Sequence, residues 1–466
     1  IFRFLWNETF RAGNRAARDA TRQLLNSLAE GGIYDHLGGG FARYSVDAEW
    51  HVPHFEKMLY DNAQMLELLA FAQADAPSPL FAERAEETFG WLIREMRIGD
   101  ARGFAFAASQ DADQAGEEGS FYTWRAEEID AALGEAAPAF AAAYDVRPEG
   151  NWEHRNVLRR SVRPRGDPAA EAALAASRAR LFALREARPR PGLDDKALAD
   201  WNGLMIAALA RASVVFRAPA MLRAGEAAFA FINERLRDSS GRLAHAWRQG
   251  RRGAAGLLDD FASMARAALA LFEATGERAF LARAVALTEE ARDLFGDGAG
   301  GYYLTARDAA DVPGARPRHA QDGALPSGVG LIAEVLARLH HLTGEERWRA
   351  DCEALVRAYS SDRERLAHAP LLLAAADFLD RGAVIVVTGE FAEPGATALV
   401  ETALTWPDPA TCILRTRNGA DWPEGSPGFG RKPIAGNPAA YLCRRSVCSL
   451  PVSTPEDLRQ AMASGG

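Results

Sequence analysis

The amino-acid sequence predicts a mainly α protein: an (α/α)6 barrel, a six-hairpin toroid of the glycosidase type, with a small C-terminal α/β appendage. Three observations carry this. Apolar residues recur at helical spacing from the start to about residue 382, in segments that come in pairs. Hairpin signals punctuate the pairs, at Gly31-Gly32-Ile33-Tyr34, Arg102-Gly103-Phe104, Gly241 to Trp247 and Gly300-Gly301-Tyr302-Tyr303. After each hairpin a polar loop leads into a helix that begins with chemistry: HVPHFEKMLYDN, LDDKALADWNG, LLDDFA and DGALPSG. Functional side chains at one end of alternate helices are what a closed ring produces. Its inner helices bury both faces and its outer helices one stripe.

In chain order, helices are expected over about 1–12, 14–30, 53–74, 79–97, 167–188, 196–217, 219–238, 257–274, 277–296, 326–343, 345–361 and 367–381. Pro53 suits the first position of the third, because its fixed φ fits and its missing N–H is not needed there. On that helix His54, Lys57, Asp61 and Gln64 would form one polar row. Residues of about 100–160 read as an insertion: short strands around an acidic loop, two short helices at about 125–143, and a loop holding Gly150-Asn151-Trp152-Glu153. Residues 1–382 thus form the barrel and 383–466 the appendage. The appendage has strands at Val384–Gly389, Cys412–Thr416 and Ala440–Ser446 and helices near 394–405 and 455–463.

With 466 residues, 48% apolar and 25% charged, the chain has a globular composition, and no apolar run approaches the ~20 residues of a membrane helix. A net charge of −9 argues against a nucleic-acid partner, which needs a basic patch. Four cysteines are too few for a disulfide scaffold and suit a reducing cytoplasm. Cys443 and Cys448 lack CxxC spacing; an odd separation along one strand puts them on opposite faces, as ordinary core residues. Of 54 basic residues only three, Lys57, Lys196 and Lys432, are lysines. An ammonium is a compact charge with a tunable pKa, which a guanidinium cannot replace.

The candidate site follows from the helix starts. His54 is the leading acid or base, its reference pKa being nearest neutrality, with His51 or His245 as partner. Asp61, Asp195 and Asp260 are the carboxylates a hydrolase would draw on across the mouth, about 5–10 Å apart. Trp201 beside Asn202 is a pairing suited to sugar contacts, and Trp124, with Trp50 and Trp247, offers further stacking surface. His51, Glu56, Lys57, Tyr60, Trp124, Lys196, Trp201, Asn202, His245, Asp322 and Ser327 complete the expected substrate-binding set. No metal site is expected. The double acid of LLDDFASM lacks DDxxD spacing, and Asp111-Ala112-Asp113 fails as a calcium loop at Ala115 and Tyr122. Glu117, Glu118, Tyr122 and Trp124 are instead expected over the mouth. No cofactor is expected either.

Several strings together, GGIYDHLGGGFARYSVDAEWHVPHFEKMLYDNAQ, DADQAGEEGSFYTW, GNWEHRNVL, DDKALADWNGLMIAAL, DGALPSG and AYLCRRSVCSLPVSTPEDL, closely resemble the spermatogenesis-associated thioredoxin-domain family over nearly the whole chain. The resemblance implies a thioredoxin-like module upstream of a barrel similar to N-acylglucosamine 2-epimerase and to glycosidases, with this chain starting inside the first inner helix. The family has Asn after Ser-Gly where this chain has Val329. The expected function is that of a carbohydrate-active barrel, epimerase-like or glycosidase-like, acting on a small sugar or sugar derivative. The alternative is a non-catalytic barrel that holds a ligand or peptide for an attached redox module.

Overall fold

The computed structural model describes residues 1–464 except 115, 161–164, 311–313, 362 and 446, so Ala115 and Ser446 lie outside the described residues. The ring is built from α1 (Phe2–Arg11), α2 (Arg15–Glu30), α3 (Leu59–Asp75) and α4 (Pro79–Glu95). Two short helices follow, α5 (Ala126–Leu133) and α6 (Ala137–Tyr144), and then the longer α7 (Pro168–Arg185). The ring resumes with α8 (Ala199–Val215), α9 (Pro219–Arg235), α10 (Leu258–Thr275), α11 (Arg278–Phe295), α12 (Gly328–Thr343) and α13 (Glu346–Tyr359). After the short α14 (Arg363–Ala367) comes α15 (Pro370–Arg381).

Helices α3, α8, α10, α12 and α15 pack in succession, and α1 lies against α15. Arg3 of α1 reaches Glu67 of α3 at 3.5 Å, which closes the circle. Outside them α2, α4, α9, α11 and α13 each pair with the preceding inner helix. The fold is therefore the expected toroid. The inner helices are apolar all round: α8, α10 and α12 bury nearly every residue. Gly203 marks the tightest approach, since a Cβ there would come within 2.7 Å of Ser263 on α10. One helix expected in the ring is not part of it. Helix α7 packs on α5 and α6, and Trp124, Ile129, Phe140, Tyr144 and Leu181 form a separate core there.

The third helix starts six residues later than its spacing suggests. Pro53–His54 is a short strand paired with Tyr44–Ser45, and Lys57–Met58 pairs with Ser109–Gln110. Pairing with distant strands satisfies this backbone before the helix can claim it, so tertiary context overrides local periodicity. His54 and Lys57 are therefore off α3, and the polar row dissolves. In the same way Leu193–Asp194 and Ala197–Leu198 are strands, so Asp194 and Asp195 do not cap α8.

From Ala383 a four-stranded sheet begins. Strand Ala383–Thr388 lies between parallel Thr411–Thr416 and antiparallel Ala439–Arg444, with Val447–Cys448 at the edge. Helices α16 (Pro394–Leu404) and α17 (Pro455–Ser464) cover one face. The sheet seals the C-terminal ends of the inner helices: Arg415 donates to the carbonyls of Glu273, Ala274 and Thr275 at the end of α10, and Arg338 of α12 donates to Pro409 and Thr411. Cys443 and Cys448 form a disulfide, contrary to expectation. The two sit on neighbouring antiparallel strands joined by a tight hairpin, in register with each other, so the opposite-faces rule for a single strand does not apply. Cys352 and Cys412 are free and buried. Among the described residues no helix is long and apolar enough to cross a membrane.

Candidate functional site

The N-terminal ends of the inner helices form one rim, and a continuous series of contacts runs around it. His54 Nδ1 lies 2.7 Å from Glu118, its ring stacks on Tyr44, and its Nε2 is 3.7 Å from Glu56. Arg43 bonds Glu56 at 3.1 Å and also Tyr60 on the first turn of α3. The Tyr60 ring meets Trp201 of α8 edge-on, 4.7 Å between centroids. The Trp201 amide donates to Asp200 at 2.8 Å, and the Asp200 amide donates to Asp260 of α10 at 3.1 Å. Asp260 in turn receives His245 Nδ1, 3.0 Å from both carboxylate oxygens.

Beyond α10 the carboxylates act as clamps. Asp260 accepts the Leu257 amide at the start of its own helix. Asp259 accepts the Gly328 amide of α12 at 2.8 Å. Asp322 accepts the Ser327 amide and, with its other oxygen, the Leu371 amide of α15, both at 2.8 Å. Ser327 caps α12 through Gly330. Free amides and the positive dipole end make these positions hospitable to acids. Each clamp also ties one inner helix to another or to the loop before it.

Ionisation is strongly perturbed at two points. Burial pushes the Asp61 carboxyl up to about 7, and its Oδ2 is sealed from solvent without a hydrogen-bond partner. The second point is the trio of buried Asp200 and Asp260 with half-buried His245, whose carboxylate and imidazole atoms lie within 4.8 Å of one another. The hydrogen bond to Asp260 holds the His245 imidazolium up to about 9. Burial, then the nearby Asp260 charge, lifts the Asp200 carboxyl to about 8. The three titrate as a unit. His245 keeps about a third of its side chain exposed, 32%, whereas Asp260 is fully buried.

On the α15 side of the rim, Asp322 lines a cavity with Gln64, Leu204, Gly323 and Pro326 that runs past Arg3, Glu67, Arg266 and Glu334 to Pro409; Asp61, Trp201, His245 and Asp260 lie outside its lining. Gln64 spans it, donating to the Ala324 carbonyl at 2.9 Å.

The rim thus gathers His54, Glu56, Tyr60, Asp61, Trp201, His245, Asp260, Asp322 and Ser327 from the expected set. Six residues of the expected set stand apart, and so does Trp247. Lys57 is buried in a cluster with Asp35 (2.8 Å), the Gly39 carbonyl and Arg185. Two cations share that carboxylate and hold it far below the usual range despite its burial. His51 is turned inward, with Nε2 buried and unpartnered. Asp195 is bound by Arg248 and Gln249, and exposed Lys196 pairs with Asp194 at 3.0 Å. Trp124 is buried in the α5–α7 core under Arg188, and Trp247 is likewise buried. Asn202 is fully buried: it accepts the Phe106 amide and donates to the Phe106 and Leu198 carbonyls. Asn62 does the same with Phe41 and Met58, so the pair is a repeated latch between an inner helix and the hairpin before it. The sequence reading missed Asp200 as well as the Arg–Glu cluster lining the cavity. The signal for Asp200 was the recurrence of an acid in the first turn of α3, α8 and α10.

No family model matches the chain. Over 97% of its length it is 30% identical to spermatogenesis-associated protein 20 of Homo sapiens, and equally so to that of Rattus norvegicus; it spans 63% of the length of each. Among solved structures it is similar to a sugar epimerase from a ruminal bacterium, at 11% identity and TM-score 0.47, with 74% of this chain and 72% of that one covered. A family 76 glycoside hydrolase (mannosidase) from Bacteroides thetaiotaomicron is similar at 11% identity and TM-score 0.44, with 73% and 70% covered.

Proposed function

For a chain homologous to spermatogenesis-associated protein 20 and folded as an (α/α)6 toroid, we propose proton-transfer chemistry on a small sugar or sugar derivative held in the mouth. One observation carries the reading: the rim sets two perturbed acid–base groups on either side of the Tyr60–Trp201 ring pair, the Asp61 carboxyl raised to about 7 by burial and the His245–Asp260–Asp200 trio, whose imidazolium is held protonated. Burial and hydrogen bonding, not sequence type, perturb them.

The roles follow from protonation. With Nδ1 committed to Asp260, His245 has Nε2 left for a ligand, and at pH 7 it carries a proton to donate to a substrate oxygen. Asp61, half ionised near pH 7, takes a proton from carbon in an epimerisation or gives one to a leaving oxygen in a hydrolysis. The half-buried Trp201 ring, braced edge-on by buried Tyr60, supplies the apolar surface a sugar ring stacks on. His54, paired with Glu118 at the outer edge, positions the far side of the ligand.

The test is a panel of aldoses, amino sugars and short glycosides incubated with the chain in D2O, with the anomeric and C2 protons followed by NMR. C2 exchange or glycoside cleavage that is lost in Asp61→Asn and His245→Gln is expected. Chemical-shift changes without turnover would make the rim a binding site only, and no change across the panel would overturn the proposal.

A further inference from the structure

Below the mouth the toroid axis is crossed by a layer of charged side chains drawn from the inner helices: Arg3 at the start of α1, Glu67, Arg266 and Glu334 from the middles of α3, α10 and α12, and Glu273 and Arg338 nearer the C-terminal ends of α10 and α12. Three arginines, Arg3, Arg266 and Arg338, share three glutamates. Arg3 pairs with Glu334 (2.7 Å) and Glu67, Arg266 with Glu67 and Glu334 (3.3 Å), and Arg338 with Glu273 and Glu334 (3.1 Å each). Within this network the charges balance.

Arg211, on α8, is a fourth arginine beside the layer, near enough to Glu273 and Glu67 to feel their charge. Among the described residues it has no ion pair, and its Nη1 is sealed from solvent without a hydrogen-bond partner. Its guanidinium rests on the Phe71 ring, 4.1 Å from the centroid. Burial lowers its pKa only to about 10, so it cannot shed its charge at physiological pH. Arg211 is half-buried, and a cation drawn partly out of water without a directly bonded counter-ion is costly. Arg211 also faces open space: with Phe71 and with Glu67, Arg266, Glu273, Glu334 and Arg338 of the charged layer it lines a second cavity on the appendage side. Val214, Ala274 and Leu404 are shared by that cavity and a wider groove between the toroid and α16, which gives it a way out to solvent.

We propose that this inner chamber is a binding site for one small monovalent anion, a halide or a short carboxylate, held by Arg211 and completing the charge balance of the axis. A divalent anion does not suit it, because the surplus is one positive charge set beside Glu273. The site is separate from the mouth and does not depend on the chemistry there.

Two experiments on the full chain decide it. Crystals soaked in sodium bromide should show an anomalous peak in hydrogen-bond contact with Arg211. In thermal melts at constant ionic strength, replacing sodium Hepes with sodium acetate should raise Tm saturably, by several degrees, and Arg211→Met should abolish the rise while melting no lower than wild type in Hepes. A bromide peak without an acetate response selects the halide, and the converse selects the carboxylate. Water alone beside Arg211 together with no saturable rise, or an equal rise in Arg211→Met, would overturn the proposal. If Arg211→Met fails to fold, the bromide peak and the wild-type titration stand by themselves.

Discussion

Asn202 separates the two roles a polar residue at this rim can have. Its side chain is consumed by three bonds: Oδ1 accepts the Phe106 amide at 2.9 Å, and Nδ2 donates to the Phe106 and Leu198 carbonyls at 3.0 and 2.9 Å. Asn202 and Phe106 are both fully buried. In Asn202→Ala the Phe106 amide loses its partner in a dry environment, at about 1–3 kcal/mol, and each carbonyl forfeits about 0.5–1.5 kcal/mol. The sum, about 4 kcal/mol, is a large part of a typical domain's stability. Asn202→Asp keeps the acceptor but sets a carboxylate against two carbonyl oxygens. It should be at least as damaging at pH 7 and recover partly below pH 4, where the acid can donate. Asn62→Ala should match Asn202→Ala, since its three bonds are the same. Urea unfolding followed by tryptophan fluorescence reads the change. A loss below about 1 kcal/mol for Asn202→Ala, with ligand binding abolished, would refute the latch and restore Asn202 as a contact residue.

The Lys57–Asp35–Arg185 cluster predicts that Asp35→Asn, which strands two buried cations, costs about 3–5 kcal/mol by the same unfolding assay. Because the Asp61 carboxyl is held above its ordinary value, the folded state binds that proton more tightly than the unfolded one, and stability falls as pH rises from about 4 through about 7. Asp61→Asn should therefore melt near wild type at pH 4 and above it at pH 8. For His245 the raised imidazolium stabilises the fold fully below about 6.5, and that contribution fades as pH climbs through about 9. His245→Gln should be most destabilising at pH 6 and converge on wild type near pH 10. Reducing the Cys443–Cys448 bridge opens a very short loop, so it should cost no more than about 2 kcal/mol. Mass spectrometry after native alkylation should find two modified cysteines upon reduction, with buried Cys352 and Cys412 protected.

The ring was legible because long apolar periods and hairpin punctuation are local signals: helices α8 to α13 fall within a few residues of their expected ends. Stretches decided by distant partners were not. Residues 53–58 have helical spacing, yet pair with strands around 45 and 110. The disulfide needed the register of two strands that the sequence alone does not align. At the proposed site, residue types at helix starts pointed to side chains that the structure gathers on one rim. Which of them stays open to the mouth and which is spent on backbone could not be read from type: Asn202 is consumed by three bonds, while its neighbour Trp201 stays half-buried at the rim. Glu67, Arg266 and Glu334 left a subtler trace, single charges inside apolar runs, which a helical reading alone assigns to surface.

The account rests on one rim acting as one site. A crystal structure of the chain with the sugar that binds it best tests this directly. The ring should lie against Trp201, with oxygens in hydrogen-bond contact with Asp61 and with His245 Nε2. A sugar seated elsewhere, or a mouth that stays empty at saturating sugar, would contradict it.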